Sequence, residues 1–473
     1  MWGIHLDRQS ELPLRRQIYQ ALGDQMISGK LKAGELLPST RDLSRGLNVS
    51  RSTVSDAYEM LIAEGFVISS QGAPTRIAEG LCVEKMPDPA PRAAPHFERV
   101  FKADFRTGLP DLRQFPRFLW QQMLIKASEE MTPEQYGYTG AQGIPELRKE
   151  IALWLYRNRG LSVDAGDIFI TQGATHALHL IAELICGDRQ EILMEDPCHT
   201  GMLHTFLNKG VSVVPIPADE HGIQTERLKD KKCSAVYVTP SHQFPLGGIL
   251  PASRRAALIR FAHDNEAYII EDDYDSEFRY CGEPIAPLYA MDSRRVIYVG
   301  TFSKSVYPAL RIGYVILPGQ LQERWLQLRT YTDVQSPILE QMSLMMFLRT
   351  RKQDRHIKRM RRLYGERRSV LLETLAQTFE GEWYAFGDDA GLHLAVEFPK
   401  LQFDDVFRKS SQEKGINLTL MEYHCIEKGR HQSKLLLGYG HLEPEEIRSG
   451  IALLCSHIKE YFASDIGMAK EGL

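Results

Sequence analysis

Residues 300–314 read GTFSKSVYPALRIGY and follow the apolar run Val296-Ile297-Tyr298-Val299. That run is β-branched and aromatic, which predicts a strand. Lys304 therefore falls just past a strand end, with Pro308 and then Arg311 after it. A lysine at such a place is, taken alone, an ordinary surface residue. Its meaning depends on what other strand ends carry.

Working outward, the same pattern recurs. Asp167–Thr171 is an apolar run followed by the amphipathic stretch Thr175–Cys186, and further runs end at Met194, Val238 and Ile270. Continuous apolar strands alternating with helices predict an α/β domain with a mainly parallel sheet covered on both faces. Ligands of such sheets bind beyond the carboxyl ends of the strands. The polar clusters sit there: Gln172-Gly173-Ala174-Thr175, Asp196-Pro197-Cys198-His199, Glu271-Asp272-Asp273-Tyr274 and Thr301-Phe302-Ser303-Lys304.

These residue types suit pyridoxal phosphate. Lys304 supplies an amine for a Schiff base, and Ser303 and Thr301 supply hydroxyls for a phosphate dianion. Arg311 offers a planar fork to the same phosphate. Gly173, Ala174 and Thr175 open a helix whose free N–H groups suit an anion. A carboxylate at Asp272 would keep the pyridine nitrogen protonated, and Tyr274, two residues on, shares its face of an extended chain. Glu271, Asp273, Asp275 and Glu277 read as a solvated acidic loop around Asp272. His199 could stack on the cofactor ring. A lone histidine is more often structural.

The N-terminal region reads differently. Leu14, Ile18, Ala21, Leu22 and Met26 recur at helical spacing. Ser39 with Asp42 heads a second helix as a capping box, and Ser50 caps a third, striped by Val54, Ala57, Tyr58 and Leu61. Phe66-Val67-Ile68 begins a hairpin through Gln71-Gly72. Helix, short helix, turn, helix and hairpin is the winged helix-turn-helix order. It points Ser50, Arg51, Ser52 and Thr53 at base edges in the major groove of double-stranded DNA and Ser39, Thr40 and Arg41 at phosphates. The first eighty residues hold nine Lys/Arg and nine Asp/Glu, so any DNA contact rests on the local cluster Lys30, Lys32, Arg41, Arg45 and Arg51.

Met86–Pro95 has four prolines in ten residues and reads as an extended linker. The expected domains are 1–80 for the winged helix, 81–103 for the linker and 104–473 for the cofactor domain. The last divides into a large subdomain of about 135–340 and a C-terminal small one. Seven cysteines, an odd number without a CxxC pair, fit a reducing cytoplasm better than a disulfide framework or a zinc site. No signal peptide or membrane span is legible.

The string LKAGELLPSTRDLSRGLNVSRSTVSDAYEMLIAEGFV closely resembles the GntR-type winged-helix signature, over about residues 10–78. Ala73-Pro74 departs from the family's usual wing. TPSHQFPLGG (239–248), IIEDDYDSEF (269–278) and GTFSKSVYPALRIGY resemble fold-type-I aminotransferases and, more narrowly, the MocR/GabR family, which fuses the two domains. The resemblance implies Lys304 as the aldimine lysine, Asp272 at the pyridine nitrogen, Tyr274 at the phenolic oxygen and Arg311 at the phosphate. It also implies a head-to-tail, domain-swapped homodimer. The function it implies is a transcriptional regulator answering to pyridoxal phosphate itself, as in vitamin B6 gene control, or to an amino compound as small-molecule effector. The competing reading is an active aminotransferase with a fused DNA-binding domain. Two departures weigh against turnover. Leu436 stands where aminotransferases hold the substrate carboxylate with an arginine, with Lys434 on the same strand face, and the turn Asp196–Gly201 has no arginine.

Overall fold

The structure, a computed structural model, describes residues 2–70, 73–80, 100–185, 191–280, 285–387 and 390–468, with side chains to residue 463. The hairpin tip Gln71-Gly72, the proline-rich Met86–Pro95 and Cys82, Cys186 and Cys281 lie outside the described residues. The chain forms two compact units, Met1–Glu98 and Arg99–Leu473.

In the first unit, helices α1 (Leu14–Ile27), α2 (Thr40–Leu47) and α3 (Arg51–Ala63) precede the antiparallel strands β1 (Val67–Ile68) and β2 (Arg76–Ile77). Ile18, Leu22 and Met26 of α1 pack with Val54, Ala57, Tyr58 and Leu61 of α3 in one buried cluster. The Ser50 hydroxyl accepts from the Thr53 N–H at 3.1 Å and caps α3. Ser39 caps α2 in the same way, accepting from the Asp42 N–H at 3.1 Å. The return half of the expected box differs. The Asp42 carboxylate accepts from the Ser39 hydroxyl at 2.5 Å instead of the Ser39 backbone N–H. Asp is one methylene shorter than the Glu that usually makes that reach. Asn48, in the left-handed region at φ 52°, ends α2.

The second unit opens with β3 (Ala103–Asp104) and then builds a large sheet. Its strands are β4 (Ile168–Thr171), β5 (Glu191–Asp196), β6 (Ser212–Asp219), β7 (Gly222–Ile223), β8 (Ala235–Val238), β9 (Tyr268–Asp273), β10 (Val296–Thr301) and β11 (Gly313–Ile316). Their order is β4-β11-β10-β9-β8-β5-β6-β7. β11 runs antiparallel to both its neighbours and β7 antiparallel to β6, while the other pairings are parallel. The twofold alternation of strand side chains splits the core in two. Ile269, Val236 and Val296 enter one cluster, and Ile270, Tyr237 and Ile297 enter another on the opposite face. Strands buried on both sides must read as unbroken apolar runs, which is why they were legible.

A 27-residue helix, Lys352–Thr378, leads to the smaller subdomain. There β12 (Tyr384–Phe386), β13 (His393–Glu397), β15 (Thr419–Leu420) and β16 (Lys434–Gly438) form an antiparallel sheet, and β14 (Ile416–Asn417) pairs in parallel with β3. Residues near the start of the unit thus complete the C-terminal subdomain. No helix among the described residues is long and apolar enough to cross a membrane.

Candidate functional site

The parallel strands deliver their carboxyl ends to one rim, and the polar turns following them enclose a cavity of about 260 Å³. Ala174, Thr175, His199, Asp272, Tyr274, Thr301, Ser303, Lys304 and Arg311 all line it. Gly173 lies against Arg311, whose Nη2 would stand 2.9 Å from a Cβ built on it, and its φ of +92° is one that favours glycine. Arg311 itself is held at φ 52°, a left-handed conformation costing a non-glycine residue about 1–2 kcal/mol. Its guanidinium donates to the Gln172 carbonyl at 2.9 Å, beside the start of the helix Ala174–Ile185. The Thr301 and Ser303 hydroxyls lie 2.9 Å apart on the same rim.

Lys304 is half-buried and donates to the Gly108 carbonyl. Burial lowers its pKa, opposed by the carboxylates of Asp275 and Asp272. Asp272 is 5% exposed. Its Oδ2 accepts from the Tyr237 hydroxyl at 2.7 Å, while Oδ1 is buried with no partner among the described residues. Burial raises the Asp272 pKa to about 7, against the Tyr237 hydrogen bond that lowers it. A buried carboxylate oxygen without a donor is costly, and it marks a place for one. The pyridine N–H of pyridoxal phosphate is a donor of that kind. With the amine of Lys304 and the glycine-floored fork of Arg311, the residues present fit the cofactor.

The Tyr274 hydroxyl lies 2.9 Å from His242 Nδ1, and that nitrogen lies 2.9 Å from Asp275 Oδ2. A carboxylate so close draws the Nδ1 proton toward itself. The Tyr274 hydroxyl sits against this His242–Asp275 pair at the edge of the cavity. His199 caps the helix Thr200–Leu207, its Nδ1 accepting from the Gly201 N–H at 3.1 Å. The residue is exposed at the cavity rim, and the protein packed around its ring, followed by the nearby Lys304, lowers its pKa to about 4. It is thus a neutral ring near pH 7, suited to stacking.

The solvated reading of the other acids fails. Glu271, Asp273, Asp275 and Glu277 are all buried. Glu271 accepts from the Leu288 and Tyr289 N–H groups at 2.8 and 2.9 Å, and Asp273 pairs with Arg159 at 2.9 Å. Asp275 pairs with His242. Burial raises Glu277 to about 8. The partners come from far along the chain, so no local pattern announced them.

Sequence reasoning also missed cavity residues. Tyr237 looked like one more apolar strand residue. Thr239 and Phe244 sit in a quoted motif without an assigned role, and Thr107 and Gly108 follow the linker where no pattern appears. At the position aligned with the carboxylate arginine, Leu436 is fully buried against Ala395, Leu246 and Met421. Lys434 pairs with Glu397 at 3.1 Å. Among the described residues Arg311 is the one arginine lining the cavity.

In the first unit Ser39, Arg41, Ser50, Arg51 and Ser52 are exposed, with Thr40 and Thr53 half-buried. Arg51 Nε donates to the Thr40 hydroxyl at 3.2 Å, joining the tips of α2 and α3. Tyr58 donates to the Pro38 carbonyl at 2.8 Å and fixes α3 against the lead-in to α2. Among the described residues Lys30, Lys32, Arg41, Arg45 and Arg51 are exposed and none forms an ion pair with a carboxylate. Of these, Arg41 and Arg51 stand in the first turns of α2 and α3.

Comparison with known proteins yields two family matches, bacterial regulatory proteins of the gntR family over residues 14–77 and aminotransferase class I and II over residues 114–441. The chain is 31% identical over 469 residues to the probable rhizopine catabolism regulatory protein MocR of Rhizobium meliloti, covering 95% of each. It is 30% identical over 445 residues to the HTH-type pyridoxine biosynthesis transcriptional regulator PdxR of Corynebacterium glutamicum, covering 94% of this chain and 96% of that one. Among solved structures it resembles Pyrococcus horikoshii kynurenine aminotransferase in complex with PMP, at 25% identity and a TM-score of 0.71, covering 77% of this chain and 92% of that one.

Proposed function

The chain belongs to the MocR/GabR-type family of HTH-type transcriptional regulators, and on that premise we propose that its second unit holds pyridoxal phosphate at Lys304 as a sensor controlling promoter binding by the first. When bound, the cofactor supplies an aldehyde that combines with amines and a ring that draws electrons. The chain's residues do the rest. Lys304 presents the amine, and Asp272, steadied by Tyr237, accepts at the pyridine nitrogen. Tyr274 donates toward the phenolic oxygen. Arg311, Thr301, Ser303 and the turn Gly173–Thr175 hold the phosphate, and His199 covers the ring.

The observation carrying a sensor over an engine of transamination is the buried Leu436 where a carboxylate-binding arginine would stand, in a cavity where Arg311 is the one lining arginine among the described residues. Without a second guanidinium fork, α-amino acids lose their strongest anchor. The signal is either pyridoxal phosphate itself or an amino compound that combines with it. A homodimer is part of this reading. Exposed Phe118, Tyr136, Tyr138, Tyr156 and Tyr331 on the second unit supply apolar surface for it.

The test is a gel-shift titration on the chain's own upstream DNA, with pyridoxal phosphate and candidate amines added separately. Retardation that changes with either is expected. No retardation under any condition refutes the regulator reading, and rapid multiple turnover of an amino acid with a 2-oxo acid refutes the sensor reading.

A further inference from the structure

We propose that the second unit carries another ligand site, for a small dianion such as a phosphate ester or a dicarboxylate, in the cleft between β6 and the loop 427–431. The cleft holds about 630 Å³ and is lined by Asp196, Arg227, Lys231, Glu427, Arg430 and His431, with Pro215 and Pro217 on the β6 side. That volume lies within the roughly 300–1,000 Å³ typical of small-molecule sites.

Its charges are unbalanced toward cations. Asp196 is engaged by the N–H groups of Ile426 and Glu427 at 2.7 and 3.0 Å. Glu427 pairs with Arg430 at 2.6 Å. Arg227 and Lys231 form no ion pair with a carboxylate among the described residues. They belong to the run ERLKDKK (226–232), which faces EKGRH (427–431) across the cleft. The guanidinium fork of Arg227 and the ammonium of Lys231 on one wall match two negative charges on a compact ligand, with the Glu427-paired Arg430 opposite them. The apolar wall argues against a peptide strand as occupant. Pro215 and Pro217 lack N–H groups, so this stretch of β6 cannot template strand addition.

The site is tied to the cofactor cavity through the chain. Besides the two bonds to Asp196, the Cys198 N–H donates to the His424 carbonyl at 2.9 Å, and His424 Nδ1 lies 3.2 Å from the Cys198 carbonyl. The loop 424–427 is thus zipped onto the turn 196–198, and the next residue, His199, lines the cavity. The His424 ring also lies 5.0 Å from Phe244, another lining residue. A dianion drawing Arg430 away from Glu427 pulls on this zipper. The link rests on the cofactor reading proposed above, whereas the site itself does not.

The experiment is calorimetric titration of the full chain with inorganic pyrophosphate and, separately, succinate. It is run on protein saturated with pyridoxal phosphate and on Arg311→Ala protein without it, always against chloride at matched ionic strength. One site per chain is expected in both preparations. The double variant Arg227→Ala/Lys231→Ala should weaken it at least tenfold with no change in melting temperature. The stronger of the two anions identifies the head group. Binding unchanged in the double variant, or reproduced by chloride, overturns the site. A pyrophosphate-dependent change in the visible band of the loaded protein is expected, and its absence overturns the link. Failure of the cofactor reading shows separately, as no visible band at all.

Discussion

Tyr237→Phe tests the electrostatics behind the cofactor cavity most directly, because it removes one hydroxyl and keeps the ring. That hydroxyl donates to Asp272 Oδ2 at 2.7 Å, and Oδ1 has no partner among the described residues. A hydrogen bond to a charged group contributes about 1.5–3 kcal/mol. At about 1.4 kcal/mol per pKa unit, its loss should lift Asp272 by about 1–2 units above its present value of about 7. Because the folded pKa is raised above the ordinary 3.8, the stability Asp272 contributes is fully present below that value and is lost as pH climbs through about 7. In the variant the loss continues to higher pH. The variant's deficit relative to the parent should therefore be larger near pH 9 than near pH 6, by about 1.5–3 kcal/mol. Urea unfolding of cofactor-free protein at the two pH values, followed by tryptophan fluorescence, measures this. A deficit that is flat with pH, or greater at low pH, refutes the assignment of Tyr237 as the partner of ionised Asp272.

Lys304→Ala, with pyridoxal phosphate added, should show no visible band and no borohydride trapping; a retained, reducible band moves the reactive lysine elsewhere. Arg51→Ala should weaken promoter binding by about 1–3 kcal/mol while leaving the melting of the first unit unchanged, since the side chain is exposed. An unchanged gel shift places base contact on other residues. Leu436→Arg should destabilise the second unit by more than about 3 kcal/mol, because a charge would enter a fully buried apolar cluster. A stable Leu436→Arg protein that gains amino-acid turnover would show that the missing arginine alone separates this cavity from an aminotransferase.

The legibility of this chain follows from how local each signal is. The capping serines 39 and 50 and the stripe Val54–Leu61 are set by neighbours a few residues away, so the winged helix could be read directly. Lys304, Arg311 and Asp272 stood out because polar residues follow apolar strands. The acidic string 271–277 misled for the opposite reason. Its charges look solvated locally, and only the approach of Arg159, His242 and the Leu288–Tyr289 turn makes their burial possible.

The sequence by itself determined the two folds, the order of their elements and the residue types that meet a cofactor, because helical and strand periodicities and strand-end chemistry are short-range. The tertiary structure decided which groups share one dielectric environment. It set Tyr237 against Asp272, closed Lys304 against Gly108 and packed Leu436 into a core. It also set Arg227 and Lys231, which form no ion pair among the described residues, beside Pro215 and Pro217 in a second cleft. Those outcomes depend on distances between segments up to about two hundred residues apart, such as Gly108 and Lys304, and periodicity carries no information about them.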